Sequence, residues 1–350
     1  MADHSQRLEL LCAWLARQAG AADCNLTLVS GDASFRRYFR ATVDDESFIV
    51  MDAPPDKEDC GPFIHVARLL REAGLNAPEV FAQDFEQGFL LLTDLGTKTY
   101  LDVLSPDRCV GCGFEPPQGA SSRQYTEDPD NLFEDAIDAL IRWQLASRPG
   151  VLPPYDETLL RRELNLFTQW YLPQHLQIML DTKSQALWEE ACQRLVASAA
   201  CQPRVFVHRD YMPRNLMLSE TNPGVLDFQD AVYGPPTYDV VSLFKDAFIS
   251  WPEERVDDWS RRYWEAARAV ELTVHRDFVE FKRAFDWMGL QRHLKVLGIF
   301  ARLTYRDGKS RYVADTPRFV RYVMTVAPHY RELSPLTQIF EQHVLPRITL

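Results

Sequence analysis

No apolar run in the 350 residues approaches the roughly 20 that a membrane span requires. The N-terminal MADHSQRLELLCAWLARQAG does not read as a secretory leader either, because Asp3, Arg7 and Glu9 stand where an unbroken apolar core is needed. Basic residues are outnumbered, 38 Lys and Arg against 50 Asp and Glu, for a formal net charge of −12. That balance argues against a nucleic-acid backbone as the main partner, since phosphate contacts need clustered Lys and Arg. Cysteine is sparse: seven residues, an odd number, without regular spacing, so no disulfide framework is expected and reduced thiols in a cytoplasmic protein are. The one close pair, Cys109 and Cys112, has no second pair or histidine cluster at zinc-site spacing and lies in a Gly- and Pro-rich stretch, so neither metal nor redox use is expected.

What is present is the material of a folded protein. Hydrophobic residues make up 46%, and the length suffices for two lobes with cores of their own. Leu8, Leu11, Trp14 and Leu15 fall at helical spacing. Two β-rich runs then flank SGDAS, and a third, SFIVMD, follows the turn VDDE. GPFIHVARLLREAG predicts a helix ended by Gly74, and NAPEVFAQDFEQGFLLLTDLG predicts two more strands. The reading is an antiparallel sheet with one helix between its third and fourth strands. Residues 105–130 are dense in Gly, Pro, Ser and Asp and read as a linker or surface insertion. Beyond them the pattern is helical except for a β-like stretch at 205–230. The fold class is α+β and bilobal: an N-terminal lobe over residues 1–98 and a mostly helical C-terminal lobe over 99–350.

One short motif carries chemistry. VFVHRDYMPRNLML places His208, Asp210 and Asn215 in the spacing H-x-D-x-x-x-x-N, and GVLDFQDA follows with Asp227 behind an apolar run. Phosphoryl transfer needs one carboxylate to accept the proton of the attacking hydroxyl and further oxygen ligands for a divalent cation at the phosphates. Asp210 fits the first role, Asn215 and Asp227 the second, and Pro213 keeps the loop from continuing as helix. The triplet recurs at 275–277, but there Lys282 stands where the amide ligand should be, no carboxylate follows a β-run, and the stretch from Val274 reads as continuous helix. The first copy is the working one.

FVHRDYMPRNLM with VLDFQDAVYGPPTYDVVSLFKD resembles the aminoglycoside phosphotransferase family, a branch of the protein-kinase-like fold. GDASFRRYFR, FIVMDAPP, LLLTDLG and ELNLFTQWYLP extend the likeness toward the bacterial kinases of cell-wall amino sugars within that family. The resemblance implies ATP and Mg²⁺, with Asp210 as base, Asn215 and Asp227 as metal ligands and His208 shaping the loop. Asp239 would anchor the loop. Thr93, Asp94 and Leu95 would present backbone groups to adenine, and the turn from Gly31 through Ser34 to Phe35 would cover the phosphates. It implies transfer to the anomeric hydroxyl of N-acetylmuramate and N-acetylglucosamine in cell-wall recycling. A kinase for an aminoglycoside or another amino alcohol, and a nucleotide-binding pseudokinase, are the alternatives.

One departure stands out. Kinase-like folds carry a phosphate-binding lysine on the third strand, paired with a glutamate on the helix. Here Met51 or Asp52 falls at that register, and Glu58 and Asp59 precede the helix instead of lying on it. Arg36, Arg37 and Arg40 are the candidates for the missing positive charge. For the acceptor, sugar recognition calls for directional polar groups and an aromatic face. Arg162, Glu163, Trp170, His175, Asp230, Arg292 and His293 are the candidates, with Arg292 or His293 suited to a carboxylate by a charge-assisted bond.

Overall fold

The structure is a computed structural model that describes residues 2–19, 25–30, 35–43, 45–104 and 128–348. Gly31 and Ser34, Cys109 and Cys112, and nearly all of the insertion expected at 105–130 lie outside the described residues. Among the described residues the chain divides into two compact units. One gathers the chain up to Leu104, the described residues up to Arg142, and Arg214–Asp230; the other gathers Trp143–Pro213 and the chain from Ala231 onward.

The first unit is built on a five-stranded antiparallel sheet. Its strands are β1 (Leu26–Ser30), β2 (Arg37–Val43), β3 (Glu46–Asp52), β4 (Val80–Asp84) and β5 (Phe89–Thr93), in the order β1-β2-β3-β5-β4. Side chains alternate between the faces of a strand, and the two faces have different covers. Helix α1 (Ala2–Ala19) lays Leu11, Trp14 and Leu15 on one face, against Phe39, Ala41, Val50, Phe89 and Leu91. The opposite face carries Tyr38, Arg40, Ile49, Met51, Leu90 and Leu92; Tyr38 pairs across with Met51, and Met51 with Leu90. Helix α2 (Gly61–Glu72) enters between β3 and β4, with Pro62 in its first turn, and buries Phe63, Val66, Ala67, Leu69 and Leu70. It ends as expected at Gly74, whose φ of +76° is the left-handed conformation that closes helices. Helix α3 (Tyr100–Leu104) follows, then α4 (Pro129–Leu145), from which Arg142 donates to the Gly74 carbonyl at 2.9 Å.

In the second unit, α5 (Glu157–Leu166) runs into a π-helical stretch, Phe167–His175, that contains Pro173. Helix α6 (Thr182–Ala200) leads to β6 (Val205–Val207). The hairpin of β7 (Leu216–Met217) and β8 (Gly224–Val225) returns to the first unit, where Leu218 donates to the Lys98 carbonyl and Val225 to that of Asn76. Strand β9 (Val232–Gly234) then pairs with β6. Helices α7 (Thr237–Phe244), α8 (Glu253–Ala269), α9 (Phe278–Tyr305), α10 (Thr316–Val326) and α11 (Ser334–Ile339) complete the unit. The 28-residue α9 lies at its centre, packed by α5, the π-helical stretch, α6, α7 and α10. Gly298 permits the closest approach: a Cβ there would stand 2.3 Å from the backbone carbon of Leu166.

The second H-R-D triplet requires a correction. The segment from Val274 is not continuous helix: α9 begins at Phe278, and extended Asp277 caps it by accepting from the Val279 amide at 2.6 Å. The physical reason was present in the sequence. Asp277 followed three residues later by Glu280 is a helix-start signature, and an N-cap must leave helical geometry.

Candidate active site

Strand β6, whose Val205, Phe206 and Val207 are all buried, delivers His208, Arg209 and Asp210 at its end. Asp239, fully buried in the first turn of α7, holds this loop through the backbone. Its carboxylate accepts from the His208 amide at 2.7 Å and from the Arg209 amide at 3.0 Å. Bonds to a charged acceptor are the stronger kind, so the pair fixes the backbone next to Asp210. Burial pushes the Asp239 pKa up to about 7, with the two amides and Arg292 opposing and Asp210 adding to the rise. His208 is buried and its Nδ1 accepts from the Asp210 amide at 3.2 Å, which puts the proton of a neutral ring on Nε2. The His208 side chain therefore shapes the loop.

Arg209 has a φ of 75°, a left-handed conformation that costs a non-glycine residue roughly 1–2 kcal/mol. A buried ion pair holds it there: its guanidinium reaches Glu163 Oε1 at 2.5 Å. Lys295 Nζ meets the same oxygen at 2.9 Å, while Gln291 at 3.1 Å and the Tyr155 hydroxyl donate to Oε2. Lys295 also donates to the Tyr238 hydroxyl at 2.8 Å. Burial alone would raise the Glu163 pKa, but Lys295 and Arg209 overcome it and hold the carboxyl at about 2. Glu163 is only 3% exposed. Charge in that setting has to be matched by charge, and here it is.

Asn215 and Asp227 come together in the first unit. Asn215 closes a short 3₁₀ turn from Pro213, and Asp227 follows β8 with a φ of 62°. Asn215 Nδ2 lies 3.3 Å from Asp227 Oδ2, the Leu226 amide donates to the Asn215 carbonyl at 2.9 Å, and Gln229 donates to Asp227 Oδ1 at 3.0 Å. An amide oxygen and an exposed carboxylate are hard donors that suit Mg²⁺, which commonly takes one or two protein ligands and completes its shell with water and phosphate oxygens. Among the described residues no cluster of three or more His, Cys, Asp or Glu side chains could form a closed protein cage. An amide oxygen and a carboxylate are donor types that fit Mg²⁺.

The three arginines near the start of β2 have separate partners. Arg37, on the α1 face, shares the fully buried Asp52 with Arg7, at 2.5 and 2.6 Å. Arg40 forms a two-pronged pair with Asp94 at 2.5 and 3.0 Å and also donates to the Gly96 carbonyl. Arg36 pairs with Glu58 at 2.9 Å, and the Phe35 amide donates to the same carboxylate at 3.1 Å. Asp94 also accepts from Ser47 and from the Gly96 amide; these bonds and Arg40 outweigh burial and keep its pKa low. Thr93 closes β5 by exchanging bonds with Glu79, and the lack of a side chain at Gly224 makes room for Leu95.

The acceptor candidates have different surroundings. Trp170 is half-buried on the π-helical stretch, and His175 contacts the Tyr305 hydroxyl at 3.0 Å, its pKa lowered by burial. Arg162 and Asp230 are exposed. Arg292 and His293 are buried on α9, with Arg292 Nη1 and both ring nitrogens of His293 lacking a hydrogen-bond partner. His293 stacks on Tyr322 and packs beside Phe319; burial, with Lys245 and Arg292 nearby, pushes its pKa well below the usual imidazole value. Sequence reasoning missed Lys295, Gln291 and Tyr155. The first two left a signal: GLQRHLKVLG sets four polar residues inside an otherwise apolar helix, and buried polar groups need partners.

Comparisons with known proteins identify the family. The model of the phosphotransferase enzyme family matches residues 25–278. A protein of Pseudomonas aeruginosa named N-acetylmuramate/N-acetylglucosamine kinase is 55% identical over 310 residues, 89% of this chain and 86% of the relative. Proteins of the same name from Pseudomonas putida and Neisseria meningitidis are 47% and 46% identical, over 98% and 95% of this chain and 98% and 94% of their own. Among solved structures, a choline/ethanolamine kinase family protein from Mesorhizobium loti aligns with a TM-score of 0.61 at 15% identity, over 97% of this chain and all of that one. An ADP-bound aminoglycoside phosphotransferase aligns at 0.56 and 13% identity, over 89% and 97%. At such identities the likeness is one of fold, α+β and protein-kinase-like. The chain belongs to the phosphotransferase enzyme family.

Proposed function

We propose that this chain is an ATP-dependent sugar kinase that phosphorylates the anomeric hydroxyl of N-acetylmuramate and N-acetylglucosamine, acting in the cytoplasm in cell-wall recycling. The observation that carries the reading is the 46–55% identity, over most of the chain, to proteins named for those two sugars. The loop geometry supports it, because a proton acceptor and a hard-metal pair are both present.

In this reading Asp210 accepts the proton of the anomeric hydroxyl as its oxygen attacks the γ-phosphorus of ATP, and ADP leaves. Mg²⁺ held by Asn215 and Asp227 neutralises charge on the phosphates when bound. Asp239 and the Glu163–Arg209 pair keep the loop backbone fixed, so that the base need not be ordered at the moment of reaction. Thr93, Asp94 and Leu95, together with Gly31, Ser34, Phe35 and Arg36, stay nucleotide-side candidates, in line with a nucleotide-binding role for residues 1–98 and a catalytic and acceptor-binding role for 99–350, whereas Arg37, turned to the α1 face against Asp52, is better read as structural. On the acceptor side Trp170, His175, Asp230, Arg292 and His293 stay candidates. The contacts of Glu163 suit a positioning residue better than a sugar ligand.

Phosphorus NMR of the protein with Mg-ATP and each sugar, with Asp210→Asn as control, tests the proposal. A sugar 1-phosphate signal that disappears in the variant is expected. ADP without sugar phosphate, or no turnover with either sugar, would overturn it and direct attention to other acceptors or to a nucleotide-binding pseudokinase.

A further inference from the structure

The polyphosphate of a nucleotide brings several negative charges to a site whose Asn215 and Asp227 supply no positive one. Within the first unit the sheet offers two faces, and the metal pair belongs with the face turned away from α1. Phe228, next to Asp227, packs its ring on Phe63 of α2 at 4.8 Å. The Tyr38 side chain, on that same face, is within electrostatic reach of Arg36, Asp227, Glu58 and Cys60.

The cation that serves this face must come from it. Asp52 turns the other way, toward α1, where Arg7 and Arg37 neutralise it. Met51 faces the right way but is apolar and fully buried. Arg40 is also on the right face, two positions beyond Tyr38, but Asp94 and the Gly96 carbonyl engage its Nε and Nη2. Arg36 stands just ahead of β2, two positions before Tyr38, and its charge acts on the Tyr38 side chain, as does that of Asp227. It comes with its own acid: Glu58, ahead of α2, binds Arg36 Nη2 through one oxygen and the Phe35 amide through the other. Both side chains are nearly buried, 10% and 13% exposed, so their geometry is restrained. A guanidinium has five N–H donors in a planar fork, enough to serve a carboxylate and a phosphate together.

We infer that Arg36, positioned by Glu58, is the residue that binds the non-transferred phosphates of the nucleotide, from the segment just ahead of β2 in place of a lysine on β3. The inference rests on the kinase reading above and identifies the group that reading leaves open.

Calorimetric titration with Mg-ADP and with adenosine separates the phosphate contribution from that of the base and ribose. In Arg36→Gln, affinity for ADP is expected to fall about tenfold or more while adenosine binding stays within about twofold, as suits loss of a charge-assisted contact. Glu58→Gln should show a smaller fall of the same kind, and Arg36→Lys, which keeps the charge without the fork, an intermediate one. Equal losses for ADP and adenosine would mean that the pair merely braces the turn, and would overturn the inference, as would an unchanged ADP affinity. If Arg36→Gln fails to fold by circular dichroism, the ADP-to-adenosine ratio in Arg36→Lys and Glu58→Gln decides. An unsubstituted protein that shows no preference for ADP over adenosine would overturn the kinase reading as well.

Discussion

Replacing Glu163 by Gln is the sharpest test of how the loop that carries Asp210 is held. The substitution keeps size and one acceptor oxygen but removes the charge that faces Arg209 and Lys295 in a site that is 3% exposed. Removing one member of a buried ion pair, so that its partners stay charged, costs about 3–5 kcal/mol. An independent route gives a similar figure. Holding the carboxyl at about 2 against an ordinary 4.5 corresponds to about 3 kcal/mol of preference for the charged form. Urea unfolding at neutral pH should therefore show Glu163→Gln less stable by about 3 kcal/mol. Because the folded pKa is depressed, this contribution is present above pH 4.5 and is lost as pH falls toward 2. The difference between the two proteins should accordingly narrow across that interval.

Activity distinguishes positioning from sugar binding. Arg209 freed from Glu163 can leave its left-handed conformation, and Asp210 moves with it. Turnover should fall about tenfold or more, as suits a misplacement of the base, while the KM for the sugar changes little. A raised sugar KM at constant kcat would show that Glu163 binds the acceptor, and a stability change below about 1 kcal/mol would show that the charge network is not what holds Arg209.

Other substitutions read separate parts of the site. Asp239→Asn removes a carboxyl whose folded pKa is raised to about 7, a group whose stabilising contribution is complete below its ordinary 3.8 and disappears as pH rises through 7; the variant's stability should therefore fall less steeply with pH over that window, as pH-dependent thermal melts would show. Asp227→Ala should abolish turnover and also the thermal stabilisation by Mg-ATP, which in the parent protein amounts to about 2.7 kcal/mol at a hundredfold excess over Kd. Asp277→Ala removes only the N-cap of α9, so chemical denaturation should register about 1 kcal/mol while kcat stays at the parent value. A large loss of turnover there would return the second H-R-D triplet to consideration.

Much of this protein is written in local pattern. The apolar spacing of Leu8, Leu11, Trp14 and Leu15, the turns between the strands and the Gly74 stop reflect preferences within a few residues, and each element formed where those preferences put it. The H-x-D-x-x-x-x-N motif was legible for the same reason, since its members are set by spacing along a few residues. What the chain hid is what depends on contacts distant in sequence. Asp52 reads as a strand terminus until Arg7, 45 residues earlier, folds over it. Glu163 reads as one acceptor candidate among several until Arg209 and Lys295 arrive from 46 and 132 residues away. Three closely spaced arginines look interchangeable in the sequence; the register of β2 on β3 separates Arg37 from Arg40, and Arg36, ahead of the strand, is set apart by Glu58.

The middle of α9 links these distant contacts to the chemistry. Gln291 and Lys295, one turn apart, face Glu163, the clamp on the Arg209 side chain. Arg292, on an adjacent face of the same turn, lies close enough to Asp239 to oppose the rise in its pKa, and Asp239 is the clamp on the Arg209 and His208 backbone. One turn of one helix therefore supplies charge to both groups that fix the loop around Asp210. A purely apolar α9 would pack as well or better, since buried ion pairs seldom add net stability over hydrophobic contacts of similar volume. The polar turn is better understood as the means by which the long central helix of the unit imposes a single conformation on a loop whose backbone is intrinsically strained at Arg209.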